Sequence, residues 1–258
     1  MNRDREKIVD ILKELKQEYG VLSIKAEFEA EGTRKDELIM LREFLYQAEL
    51  GLIVKIGGCE AMHDLDQCRL LNATGIMAPM IETPFAMSKF KKAAGKIYGD
   101  NMDAVEWIIN AETITCLNNY DEILKEGQGF LSAVTVGRSD LSASMGIDRS
   151  DIEGEEVFKA TYEMLKKSRD AGLMTNFGGN IGRESVPFIM KMSKVSDRVE
   201  TRKVVMKAEN DGAHMEKAIA EALRFELEYL KFKAKYYDRM AREDEARIER
   251  LSRQLDIG

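Results

Sequence analysis

Residues 133–147, AVTVGRSDLSASMGI, decide how this chain reads. An apolar, β-branched run at 133–136 meets Gly137, and the sequence then turns polar at Arg138, Ser139 and Asp140. A buried parallel strand ends this way when it delivers an acid to its C-terminal edge. Asp140 is the first candidate for a working residue, and a turn or N-cap aspartate is the plain alternative. Ser142 offers a cap for a helix after Leu141.

The same unit recurs on both sides. A helix over residues 1–20, with Ile8, Ile11, Leu12 and Leu15 in phase, precedes a strand at 21–28 whose exit crowds Glu27, Glu29 and Glu31. Those acids are either a solvated loop or part of a site. A helix at 36–50, stopped by Gly51, leads to the strand 52–56, LIVKI. Lys55 interrupts that apolar run, so it points into a polar cavity, or else snorkels outward. A helix at 61–72, a strand at 75–81 ending near Pro79 and Glu82, and a helix at 85–94 follow. The strand 104–109 exits through Asn110-Ala111-Glu112-Thr113, and a helix at 119–126 leads back to the opening stretch. Beyond it come a helix at 155–171, a strand at 173–177 with the exit GGNIG, a helix at 184–192 and a strand at 199–206. The GGNIG exit fits neither a dinucleotide fingerprint nor a P-loop.

Alternating strands and helices with short links imply a parallel sheet with right-handed crossovers. Seven strands are one short of a TIM-type (β/α) barrel. The missing strand is incomplete or irregular, or the N-terminal helix takes its place; an open doubly wound sheet is the other arrangement. Residues 1–210 form the barrel unit. Residues 211–258 are a helical extension rich in Glu, Lys, Arg and Ala, where Leu223, Leu227, Leu230, Ala234, Tyr237, Ala241, Ile248, Leu251 and Leu255 recur in steps of four and three, broken only at charged Asp244. That seam packs on its own barrel or, the preferred reading, joins subunits of a homo-oligomer.

With 258 residues the chain can bury a large core, and 44% hydrophobic with 33% charged residues is a globular composition. A net charge of -7 disfavours nucleic acid and anionic membranes as partners. No run has the length of a signal peptide or a membrane span, so a cytoplasmic location is expected. Three cysteines without metal-ligand spacing suggest reduced thiols.

Glu112 and Asp140 end successive strands, so a parallel fold sets their carboxylates side by side. Two hard oxygen ligands, with water and substrate filling the remaining positions, suit Mg2+ or Mn2+. An ion held there can polarise a 2-oxo acid and stabilise its enolate, and Lys55 adds a cation for the same developing charge.

In their order, KIGG, APMIET, NAET and VTVGRSDLSASMG resemble the HpcH/HpaI aldolase and citrate lyase β-subunit family, over about residues 21–206. The resemblance implies a TIM barrel acting on a 2-oxo acid as a metal-dependent C–C lyase, with Glu112 and Asp140 as ligands to Mg2+, Mn2+ or Co2+. It also implies that backbone amides near Gly137, Arg138, Ser139 and Asp140, together with the Pro79-Met80 turn and Glu82, surround the substrate carboxylate. Lys55 stands where these aldolases carry an arginine.

Two departures qualify this. The family's His after the strand at 21–28 is absent, which leaves Glu27 and Glu29 as candidate proton-transfer groups. The two histidines, His63 and His214, read as surface residues. The family's first barrel strand is also unrecognisable. Arg138 and Arg202 either bind a phosphate or second carboxylate, or form ordinary ion pairs. A citrate-synthase-like or acyl-CoA condensation and a non-catalytic assembly or regulatory role are the alternatives to lyase chemistry.

Overall fold

Each β-branched run is too short and too apolar to stand alone, and the helix that follows it buries one face across the sheet. In the computed structural model, which describes residues 2–209 and 211–254, the strands close into a barrel in chain order. They are β1 (Val21–Glu27), β2 (Gly51–Lys55), β3 (Gly75–Ala78), β4 (Glu106–Ala111), β5 (Ala133–Gly137), β6 (Met174–Gly178), β7 (Arg198–Glu200) and β8 (Val204–Lys207). The first helices are α1 (Asn2–Tyr19), α2 (Lys35–Ala48), α3 (Met62–Leu70), α4 (Pro84–Tyr98) and α5 (Ile114–Asn118). After them come α6 (Tyr120–Gly127), α7 (Arg138–Ser144), α8 (Glu155–Asp170), α9 (Val186–Met192) and α10 (Gly212–Gln254).

Strands β1 to β6 are each parallel to their successors, whereas β8 runs antiparallel to both β7 and β1. The segment 199–206, read from sequence as one strand, is therefore two. It breaks at Thr201, whose N–H donates to Val204 O while its Oγ1 accepts from Val204 N. The chain reverses there. A hairpin needs only a few residues, whereas a parallel crossover needs a dozen or more, so this short segment closes the barrel in the one direction open to it. The eighth strand exists, and α1 lies outside the barrel against α2 and α10.

Two helix boundaries also differ from the sequence reading. Helix α2 ends at Glu49, which takes the left-handed conformation (φ 51), and Gly51 begins β2 instead. Helix α7 starts directly at Arg138, so Ser142 lies inside it and donates to Ser139 O rather than capping it.

The barrel interior is layered. Ile53, Met77, Ile108, Ala133 and Val205 form an apolar floor. Above it, Asn110, Thr135 and Asn176 share one lateral row across β4, β5 and β6, and Lys25 on β1 is buried as well. Two residues further on the pleat returns to the same face, which puts Glu112, Gly137 and Gly178 at the strand ends.

Helix α10 packs Met215, Ala218, Ile219, Ala222, Phe225, Tyr229 and Phe232 onto the shell. Burying the larger of these side chains is worth about 1.5–3 kcal/mol each. A polar clasp completes the docking: Tyr237 Oη donates to Glu37 Oε1 at 2.7 Å and Lys233 Nζ lies 2.9 Å from the same atom. Leu223, Leu227, Leu230, Ile248 and Leu251 of the four-three seam stay exposed on another face, and Leu255 lies outside the described residues. Among the described residues no helix is long and apolar enough to cross a membrane.

Candidate active site

A cavity of ≈ 690 Å3 opens at the C-terminal ends of the strands, and Lys25, Glu27, Glu29, Lys55, Asn110, Glu112, Asp140 and Glu200 all face it. Its charged wall is built from two lysines, each held between two glutamates. Lys55 Nζ lies 2.7 Å from Glu29 Oε2 and 3.4 Å from Glu112 Oε2. Lys25 Nζ lies 2.5 Å from Glu200 Oε1 and 3.3 Å from Glu27 Oε1. An asparagine serves each group: Asn110 Nδ2 donates to Glu112 Oε2, and Asn176 Nδ2 donates to Glu200 Oε2 at 2.6 Å.

Paired glycines let these groups approach one another. Gly137 and Gly178 lie opposite each other on β5 and β6. A Cβ on Gly137 would meet Glu112 Oε2 at 3.0 Å, and one on Gly178 would meet Glu200 Cγ at 2.6 Å. Glu112 thus leans across β5 from one side and Glu200 across β6 from the other. Glycine at both strand ends is what the space requires.

The electrostatics follow from burial and pairing. Burial pushes the Glu112 carboxyl up to about 7, against the pull of Lys55 and of the Met80 N–H, which donates to Glu112 Oε1 at 3.0 Å; Asp140 and Glu29 add to the rise. Burial would pull Lys55 down, but Glu112, Glu29 and Glu27 outweigh it and hold the ammonium above the ordinary lysine value. For Lys25 burial is again opposed, here by Glu200 and Glu27, and it too stays charged.

The structure brings together Lys55, Glu27, Glu29, Glu112, Gly137, Ser139 and Asp140 of the sequence-derived candidates. Asp140 sits in the first turn of α7 rather than on β5, exposed beside buried Glu112. Other candidates lie elsewhere. Arg138 is fully buried, and its guanidinium is used inside the protein: Nε donates to Gly178 O, Nη2 to Gly179 O and Nη1 to Glu153 Oε2. The ring of Phe188 lies 4.3 Å from its Cζ, and burial lowers the guanidinium's pKa. Arg138 is a support beneath the cavity wall.

Pro79 and Glu82 are not among the cavity-lining residues, and Glu82 Oε1 accepts from Thr113 Oγ1 at 2.8 Å. Met80, in the left-handed conformation at φ 52, has its amide committed to Glu112. The Pro79-Met80 turn thus holds the Glu112 carboxylate through the Met80 amide. Arg202 lines the mouth and forms an ordinary ion pair with Glu31 at 3.0 Å. Lys25, Asn110, Asn176 and Glu200 escaped the sequence reading. Their signal is polarity at inward positions of otherwise apolar strands.

The residues present suit a hard divalent cation. Seven carboxylates and five cationic side chains line the cavity, a surplus of two negative charges. Glu112 is buried and crowded by Asp140, and Asn110, whose Nδ2 donates to it, has a buried Oδ1 with no hydrogen-bond partner among the described residues. Among the described residues no three His, Cys, Asp or Glu side chains converge as a metal cage. The pair Glu112 and Asp140 would thus leave coordination positions to substrate and water.

The fold matches known structures. The HpcH/HpaI aldolase from Desulfitobacterium hafniense DCB-2 is 15% identical, with 84% of this chain and 86% of that one covered at a TM-score of 0.63. An HpcH/HpaI aldolase/citrate lyase family protein from Burkholderia cenocepacia J2315 is 15% identical over 74% of this chain and 91% of that one, at 0.58. Citrate synthase SbnG is 14% identical over 84% and 87%, at 0.60. At such identities the likeness shows the fold alone. No curated protein matches the chain. A sequence model of the HpcH/HpaI aldolase/citrate lyase family matches residues 31–179, more than half of the chain. With the barrel closed and the family's segments gathered at its mouth, the chain belongs to the HpcH/HpaI aldolase/citrate lyase family.

Proposed function

We propose that this protein is a divalent-metal-dependent carbon–carbon lyase, or an enzyme running the reverse condensation, that works through the enolate of a 2-oxo acid. The observation that carries this reading is the shared cavity of Glu112, Asp140 and Lys55 at the C-terminal mouth of the barrel. Glu112 and Asp140 would hold Mg2+, Mn2+ or Co2+. When bound, the ion supplies Lewis acidity to the keto and carboxylate oxygens of the substrate.

The chain's own side chains do the rest. Lys55 keeps a positive charge beside the oxygen on which negative charge develops, and its pairing with Glu29 and Glu112 fixes its position. Glu29, a third exposed where Glu27 is buried, is the better placed of the two to exchange a proton with substrate. Glu27 instead fixes Lys25. Ser139 and the backbone around Gly137 orient the substrate carboxylate, and Arg138 holds the strand ends beneath them.

The exposed apolar seam on α10 supports a homo-oligomer, with Leu223, Leu227, Leu230, Ile248 and Leu251 facing a second copy.

Enolate formation is directly measurable as exchange of the methyl protons of pyruvate with D2O, followed by NMR. The reading expects metal-dependent exchange in the wild type and none in Asp140→Ala. Exchange that is absent in the wild type with each of the three ions would refute it.

A further inference from the structure

Three arginines line the cavity mouth, and they are not equivalent. Arg183 pairs with Glu216 at 2.6 Å and Arg202 with Glu31 at 3.0 Å, so each is neutralised. Arg149 instead donates from Nε and Nη2 to one neutral atom, Asn180 Oδ1, at 3.3 and 2.7 Å. Among the described residues no carboxylate lies within ion-pairing distance of it. A guanidinium oriented by an amide keeps its whole charge and its remaining N–H donors for another partner.

The amide that orients Arg149 is itself firmly held. Asn180 and Gly179 both have left-handed backbones, at φ 53 and 93. A Cβ on Gly179 would lie 2.6 Å from Ser139 N, so the loop rests directly on the start of α7. From beneath, Arg138 donates to the carbonyls of Gly178 and Gly179. Glu153 ties Arg138 to Ser185, whose Oγ donates to Glu153 Oε1 at 2.7 Å. A buried arginine, a glutamate and a serine together support the loop whose side chain aims Arg149.

We propose that Arg149 is an anion receptor of this site, so that the compound joined to or released from the enolate carries a carboxylate or phosphate away from its reacting carbon. This rests on the enolate reading above. It adds the division of labour within the cavity: carboxylates toward the barrel interior take the cation, and the arginine at the mouth takes the distal anion.

Calorimetric titration tests it, on protein loaded with Mg2+ and oxalate and on protein without oxalate. Glyceraldehyde 3-phosphate is compared with glyceraldehyde, and 5-oxopentanoate with pentanal. The expected result is about tenfold or more tighter binding of the charged member of at least one pair, in line with a hydrogen-bonded charge. Arg149→Gln should abolish that ratio and Arg149→Lys restore only part of it, since an ammonium cannot keep two donors on Asn180. Whichever pair shows the advantage identifies phosphate or carboxylate as the group. Equal binding within both pairs, or an advantage that persists in Arg149→Gln, overturns the proposal. Failure of oxalate to bind counts against the enolate reading alone, because the oxalate-free titrations still decide the role of Arg149.

Discussion

Lys25 and Glu200 form an ion pair 2.5 Å long, both buried, at a level of the barrel that aliphatic side chains commonly fill. Glu27 completes the group from the other side, at 3.3 Å.

Removing the cation leaves two buried carboxylates facing each other. Lys25→Met should destabilise the protein by about 3–5 kcal/mol, as expected when one partner of a buried pair is lost. Chemical denaturation reads this directly. The double variant Lys25→Met/Glu200→Gln should recover part of the loss, because one of the stranded charges is gone.

Gly178→Ala makes a steric test of the same region. The new methyl would meet Glu200 Cγ at 2.6 Å and Glu200 O at 3.0 Å, and the latter is backbone that cannot swing away. A loss of about 1–3 kcal/mol is expected on denaturation, the cost of overpacking a filled site.

These two sites mark what the sequence disclosed and what it hid. The barrel, the order of its first seven strands, and the meeting of Lys55, Glu112 and Asp140 were all legible, because β-branched runs and polar exits carry them. The reversal at Thr201 was not, although Glu200, Thr201, Arg202 and Lys203 interrupt the apolar residues of that segment, because strand direction leaves no mark on hydropathy. Lys25 was passed over although it interrupts β1 just as Lys55 interrupts β2. For Arg138 the sequence left anion binding and ordinary ion pairing open, since a charged residue beside a site motif fits both; in the structure its buried guanidinium bonds Gly178, Gly179 and Glu153.

The Glu112 carboxyl, raised to about 7, sets a pH window. Between the ordinary glutamate value and about 7 the folded chain holds a proton that the unfolded chain has released. Metal-free stability should therefore decline as pH rises through that window. Metal binding requires the ionised form, so Mg2+ affinity should weaken below pH 7, approaching about tenfold per pH unit for one displaced proton. Calorimetry between pH 5.5 and 8 checks this. Asp140→Asn should move the midpoint of metal-free titration downward, since Asp140 helps raise Glu112.

Lys55→Met removes the cation next to the developing oxyanion while leaving both carboxylates in place. Turnover should fall by about two to three orders of magnitude, the range seen when one electrostatic stabiliser is deleted. Mg2+ affinity should hold or rise, because an ammonium no longer competes for Glu112. A parallel loss of metal binding would assign Lys55 a structural role.

Truncation after Asp238 would remove the part of α10 that makes few contacts with the barrel while retaining Phe232, Lys233 and Tyr237. Sedimentation should show a smaller assembly, and the melting temperature of the barrel should shift by only a few degrees, as roughly 1 kcal/mol would produce.

The most direct measurement is the anomalous diffraction of Mn2+ in crystals soaked with Mn2+ and oxalate. The account predicts one strong peak bound by Glu112 and Asp140 together, with oxalate completing the coordination and Lys55 beside it. A peak held by other residues, or Glu112 and Asp140 engaged only by protein groups while oxalate binds elsewhere, would contradict it.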